Sequence, residues 1–201
     1  MIRLKDDMIR CFVCIEPEEK IKSNLGNWIG EMESVAPNLK WTRNGAFHIT
    51  LKFCGEIPFK TVCKLENALE DGFAFKRLRP FRLELSGVGA FPGFRQPRVL
   101  WAGIEGEEDQ IHRVASMVER AAVAAGLDPE RRPFHPHITL ARVPSPAVLP
   151  IGVFREINSR GETWGEWTVN SVTLMKSELF PQGARYTPIS VFKFTNDQEV
   201  R

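Results

Sequence analysis

The chain has 201 residues and carries 27 basic against 25 acidic side chains, a formal net charge of +2. A chain of this length buries about 70% of its unfolded surface, and 43% apolar with 26% charged residues is an ordinary globular composition. These values exclude global disorder, a collagen-like repeat and a disulfide scaffold, and they leave no overall cationic field, so any phosphate contact must be a local patch.

Ile9 to Ile15 reads as the first strand. It contains Cys11 and Cys14, a C-x-x-C, but side chains three apart on a strand face opposite ways, so buried inert thiols are expected rather than a zinc or redox pair. After Glu16-Pro17, the apolar spacing Ile21, Leu25, Trp28, Ile29, Met32 and Val35 predicts a helix over Glu18 to Val35. Phe47 to Phe53 alternates, with Phe47, Ile49, Leu51 and Phe53 on one face and His48, Thr50 and Lys52 on the other. Pro58 opens a second helix through Val62, Leu65, Leu69 and Phe73. Phe81 to Val88 and Arg98 to Ile104 read as strands separated by a Gly/Pro-rich basic loop, Gly89 to Pro97. A third helix from Glu108 to Ala125 stops at Gly126. His137 to Leu140 follows a proline-rich turn. A short helix, Ala147 to Ile157, precedes two closing strands, Trp167 to Leu174 and Tyr186 to Phe194, and a polar tail, Thr195 to Arg201.

No run approaches the ~18 consecutive apolar residues of a membrane helix, and the mixed-charge N-terminus leads into no signal-type core. A cytoplasmic protein without membrane contact is expected.

One internal echo stands out: His48-Ile49-Thr50-Leu51 returns as His137-Ile138-Thr139-Leu140. Helices and strands interleave in similar order before each copy, which predicts two related α+β lobes sharing a cleft. On a strand, His and Thr at i and i+2 share one face. Two such strands across a pseudo-two-fold present two imidazoles and two hydroxyls to one cleft. A neutral imidazole can take a proton from water, a protonated one can give a proton to a leaving oxygen, and both forms are accessible near neutral pH. Threonine hydroxyls can hold non-bridging phosphate oxygens, where charge develops. The pattern therefore suits phosphoryl transfer without a metal. His135 and His137 form an H-x-H pair that His48 could complete as a metal triad, but no carboxylate or cysteine accompanies it at ligand spacing.

These paired H-x-T-x motifs resemble the signature of the two-histidine phosphoesterase superfamily. Phe47 to Gly55, Gly89 to Pro92, Pro97 to Trp101, Arg132 to Arg142, Ser177 to Leu179 and Gly183 to Thr187 are similar to segments of the bacterial and archaeal RNA 2′,3′-cyclic phosphodiesterases, the 2′-5′ RNA ligase family. The resemblance implies an α+β bilobal fold over residues 1–201, with pseudo-symmetric lobes, antiparallel sheets around a central cleft and helices outside. It implies hydrolysis of RNA 2′,3′-cyclic phosphate ends to 2′-phosphomonoesters, with weak reversible 2′-5′ joining in some members and with no metal. By motif match, His48 is the proton donor, His137 the proton acceptor, and Thr50 and Thr139 bind phosphate; the near-symmetric residues alone leave the two directions open. Arg142 matches a basic residue near the phosphate, although its odd offset from His137 requires a bend in the strand.

Other substrate contacts are read from placement. Lys52 shares the His48 face in an ideal strand. Phe134 and Tyr186, with Phe94 and Trp41, are candidate stacking surfaces for a base, and Arg95, Arg98, Arg131, Arg132 and Arg185 are a candidate basic rim. No nucleotide-cofactor fingerprint appears, so no cofactor is implied. The expected partner is an RNA bearing a cyclic phosphate end, bound by a monomer. Alternatives are a phosphodiesterase for a small cyclic phosphate, such as ADP-ribose 1″,2″-cyclic phosphate, and a non-catalytic RNA-end binding module.

Overall fold

Met8–Ile15 forms strand β1, whose alternate residues face two apolar environments: Cys11, Val13 and Ile15 enter the main core, while Phe12 and Cys14 join a small cluster with Met175 and Tyr186 on the opposite face. The C-x-x-C is thereby split across the strand, as its spacing requires. The computed structural model describes residues 7–43, 45–76, 78–144, 151–159, 163–181 and 183–194.

After β1 come α1 (Glu19–Val35), β2 (Lys40–Trp41), β3 (Ile49–Pro58), α2 (Phe59–Lys76), β4 (Phe81–Phe91), β5 (Val99–Gly106) and α3 (Glu108–Ala124). Then follow β6 (His137–Arg142), α4 (Ile151–Ser159), β7 (Thr163–Val169), β8 (Ser171–Phe180) and β9 (Gly183–Lys193). The apolar stripes predicted for α1 and α2 are buried, apart from half-buried Val35, and α3 buries Ile111, Val114, Val118 and Ala122. Each wholly buried aliphatic side chain there, such as Leu25, Leu65 or Val118, contributes about 1.5–3 kcal/mol.

The fold is α+β, as expected. The strands run in the order β7-β4-β5-β6-β3-β1-β8-β9, every pairing antiparallel, with β2 beside β6. The two lobes anticipated from the repeat correspond to two four-strand halves, β3-β1-β8-β9 and β6-β5-β4-β7. Their joint is the pairing of Ile49 with Ile138, the middle residues of the two motifs. Two of the helices cross over this joint. α1 leaves the first half and packs under the second, where Asn24 Nδ2 donates to the Trp164 carbonyl at 2.8 Å and Trp28 meets Trp164 edge-on. α3 leaves the second half and packs against β3 and α2 of the first.

Several boundaries differ from the sequence reading. β4 continues through Phe91, taking the first residues of the expected loop into the sheet. The stretch expected as one strand from Trp167 to Leu174 divides at Asn170: β7 pairs with β4 in one half, while β8 pairs with β1 and β9 in the other. β7 begins earlier than expected, at Thr163, and buries both Trp164 and Trp167 in the core. The beginning of the fourth predicted helix, Ala147 to Pro150, and the tail Thr195 to Arg201 lie outside the described residues.

Candidate active site

The wholly buried Ile49 and Ile138 turn their side chains into the main core. By strand alternation His48, Thr50, His137 and Thr139 therefore project from the opposite, open face, on either side of the joint. Local backbone fixes both imidazoles in the same way. His48 Nδ1 lies 2.8 Å from the carbonyl of Ala46, and His137 Nδ1 lies 2.7 Å from the carbonyl of His135. A carbonyl only accepts, so each Nδ1 carries the hydrogen and donates it. Each Nε2 is left as the nitrogen available to gain or lose a proton.

Aromatic walls hold these rings. Phe12 lies 4.6 Å from His48 between centroids, and Tyr186 meets it edge-on at 5.3 Å. His137 meets Phe91 edge-on at 5.0 Å, with Trp101 at 6.3 Å and His135 at 6.4 Å. Burial disfavours the imidazolium of both: His48 is pushed down to about 4, with a smaller contribution from His137, and His137 is also lowered. Both are thus neutral at pH 7 without a ligand. An anion bound between them stabilises the protonated form and raises its pKa, so by linkage the anion must bind more tightly as pH falls. Sulfate, whose charge is constant over the range, is expected to gain affinity from pH 7.5 to 5.5 by up to about tenfold per unit for each proton taken up. Titration calorimetry in two buffers of different ionisation enthalpy reads that uptake, and a pH-independent affinity would contradict it.

Each motif strand carries an extra residue after its threonine. Cys14 faces Thr50 while Val13 faces Lys52, leaving Leu51 unmatched; Trp101 faces Thr139 while Leu100 faces Ala141, leaving Leu140 unmatched. Such a bulge reverses the alternation beyond it. It turns Arg142 back to the open face despite its odd offset from His137, the bend that its assignment required. Arg142 and Tyr186 line a cavity of about 840 Å³ with Lys40, Trp41, Arg43 and Ala46. Ala46 is the carbonyl partner of His48, so this cavity adjoins the imidazoles without containing them.

A profile of the 2′-5′ RNA ligase superfamily matches residues 21–179. The chain belongs to this superfamily. An Aeropyrum pernix RNA 2′,3′-cyclic phosphodiesterase is 34% identical over 163 residues, 81% of this chain and 90% of that protein. A Thermus thermophilus protein of the same name is 37% identical over 161 residues, covering 75% and 73% of the two chains. Among solved structures, TT0787 of Thermus thermophilus superposes with a TM-score of 0.71 at 31% identity, covering 94% of this chain and 100% of that one. Escherichia coli LigT complexed with NADP+ gives 0.75 at 26% identity over 94% and 99%.

Within this superfamily member, three sequence expectations are corrected. Lys52 does not share the His48 face: the bulge at Leu51 sends it to the helix side, where it is 7% exposed, bridges Glu119 of α3 at 2.9 Å and donates to the Asp128 carbonyl at 2.8 Å. Phe134, expected as a substrate contact, is instead half-buried against the main core and meets His112 of α3 edge-on at 5.5 Å. Trp41 is no free stacking surface, being buried edge-on against Trp28 with its Nε1 donating to the Ala36 carbonyl at 3.0 Å. Tyr186 stands where a substrate contact was expected, against His48. Of the basic rim, Arg132 pairs with Glu130, and Arg185 lies over the Phe180 ring. Among the described residues no three His, Cys, Asp or Glu side chains come together as metal ligands, so the His135-His137-His48 triad has no geometry here.

Phe12, Phe91 and Trp101, which wall the imidazoles, escaped the sequence reading. The signal was present for Trp101, since a strand pairing β6 must set one residue opposite Thr139. Its ring lies across Gly89, where an added Cβ would fall 2.1 Å from ring carbons. Gly89→Ala must displace the indole, costing about 1–3 kcal/mol and loosening the His137 wall. A lower melting temperature together with reduced turnover is expected, and an unchanged melting temperature would refute the contact.

Proposed function

We propose that this protein hydrolyses RNA 2′,3′-cyclic phosphate ends to 2′-phosphomonoesters, residues 1–201 acting as one catalytic unit. The observation that carries the reading is the matched pair of imidazoles, each with Nδ1 tied to a carbonyl and Nε2 left for proton transfer. The relatives named above add the substrate.

Water attacks phosphorus in line with the bond to O3′. His137 Nε2 accepts the water proton as the new P–O bond forms. His48 Nε2–H gives its proton to O3′ as the P–O3′ bond breaks, and the phosphate stays on O2′. Thr50 and Thr139 hold non-bridging oxygens, where charge grows, with Arg142 as the nearby cation. The phosphate also answers the low pKa of His48: its negative charge, in a partly dry site, raises the imidazole enough to protonate. A 5′-hydroxyl in place of water would form a 2′-5′ bond by the same path.

The test is a short RNA ending in a 2′,3′-cyclic phosphate, followed by phosphorus NMR with excess EDTA. A 2′-phosphate product is expected. A 3′-phosphate would overturn the assignment of O3′ as leaving group, and preferential turnover of ADP-ribose 1″,2″-cyclic phosphate would move the substrate class. No described helix is long and apolar enough to cross a membrane; a monomer in the cytoplasm is the accompanying reading, with light scattering as the check on mass.

A further inference from the structure

The pseudo-symmetry of the site breaks at one position. Five residues beyond His137 stands Arg142; five beyond His48 stands Phe53. Both follow a bulge, so both face the open side. Phe53 pairs in register with Phe12, the residue against the His48 ring, and is 53% exposed. Its ring is not bare. The guanidinium carbon of Arg10 lies 4.7 Å from its centroid. Arg10 shares a face of β1 with Phe12, about 7 Å along the strand from it.

The Arg10 guanidinium forms no ion pair with a described carboxylate. Its Nε is buried and meets no hydrogen-bond partner among the described residues. Glu56, its register partner on β3, forms no ion pair with it, and neither does any other described carboxylate. The Arg10 guanidinium sits over an aromatic ring, and its planar fork of donors suits phosphate. The Arg10 charge reaches Tyr186, where it opposes the rise that burial causes in the phenol pKa. The guanidinium therefore belongs to the same open face as His48, one step away along β1.

We infer that Arg10, stacked on Phe53, is a second phosphate subsite that holds the internal phosphodiester next to the cyclic end of an RNA strand. This rests on the proposed RNA activity. It makes the site a reader of chain length: a mononucleotide 2′,3′-cyclic phosphate has one phosphate and fills the imidazole site alone, whereas a trinucleotide also reaches Arg10.

The experiment compares a mononucleotide and a trinucleotide, each ending in a 2′,3′-cyclic phosphate, with wild-type protein and with Arg10→Gln. The ratio of kcat/KM for trinucleotide over mononucleotide is expected to fall about tenfold in the variant, through KM. The dependence of the trinucleotide's log KM on log salt should flatten by about 0.7, one single-strand phosphate contact. An unchanged ratio, with both substrates weakened alike or neither weakened, overturns the subsite. Should Arg10→Gln unfold, Phe53→Leu removes the platform and keeps the charge; it should lower the same ratio about threefold, and no change would overturn the stacked arrangement. Wild-type protein inert toward both substrates is a different result, for then the hydrolase reading fails, and the subsite with it.

Discussion

Replacing His48 or His137 with alanine is expected to lower kcat/KM on an RNA 2′,3′-cyclic phosphate by about 10³-fold, a loss of roughly 4 kcal/mol in transition-state stabilisation. The double replacement should cost little more, because acid and base act in one step and their effects do not add. The two single variants separate on a nucleotide p-nitrophenyl phosphodiester. Nitrophenolate departs without a proton, so the variant lacking the acid recovers and the variant lacking the base does not. Recovery of His48→Ala supports the direction proposed above; recovery of His137→Ala would reverse it. Sulfate titration on the same proteins reports whether the site still assembles, since either variant should lose part of the pH-dependent binding. Retention of full turnover by both variants would remove the imidazoles from the chemistry.

The second large effect concerns Lys52. Its ammonium lies on the helix side, bridged to Glu119 and bonded to the Asp128 carbonyl. Lys52→Met leaves the carboxylate and that carbonyl without their cation. Loss of one partner from a well-buried pair costs about 3–5 kcal/mol; the Glu119 side chain is 29% exposed, so water recovers part of this and a loss of about 2–4 kcal/mol is expected. Glu119→Leu added to Lys52→Met should regain much of it, because two matched apolar groups replace two desolvated ions. Denaturant melts of the two singles and the double measure the coupling. The rate per folded molecule of Lys52→Met should stay within about twofold of wild type. A tenfold fall in turnover without loss of stability would return Lys52 to the substrate.

The contrast between Lys52 and Arg142 shows what could be read in advance. The H-x-T spacing settled the orientation of four side chains because period-2 alternation needs nothing beyond the strand itself. The repeat likewise foretold two halves meeting at the motifs, and the helical stripes foretold which faces are buried. Alternation failed one residue past each threonine, where Leu51 and Leu140 bulge. A bulge is a property of pairing: it depends on how β1 and β5 meet the motif strands, and neither tetrapeptide announces it. The same event moved Lys52 away from the histidines and brought Arg142 toward them. Phe134 was misplaced for another reason. It lies between Pro133 and Pro136, outside any regular strand, where no periodicity predicts a direction. The aromatic walls around the imidazoles come from β1, β4, β5 and β9, and only the sheet order makes them neighbours. Trp164 and Trp167 stand three apart in β7, and both are buried because the pairing with β4 shifts register between Leu85 and Ser86 and leaves Trp164 unmatched, a feature that strand alternation alone does not give.

The crossing of α1 and α3 beneath the joint has a consequence for failure. Each crossover helix roofs the half of the sheet that did not emit it. Releasing either half would strip the cover from both, so damage does not stop at the boundary between them. A species that keeps one imidazole in place while the other swings loose has no intact core to rest on. Proton donor and proton acceptor should therefore be gained and lost together, and a heated or mutated sample should read as a mixture of fully competent and wholly inert molecules.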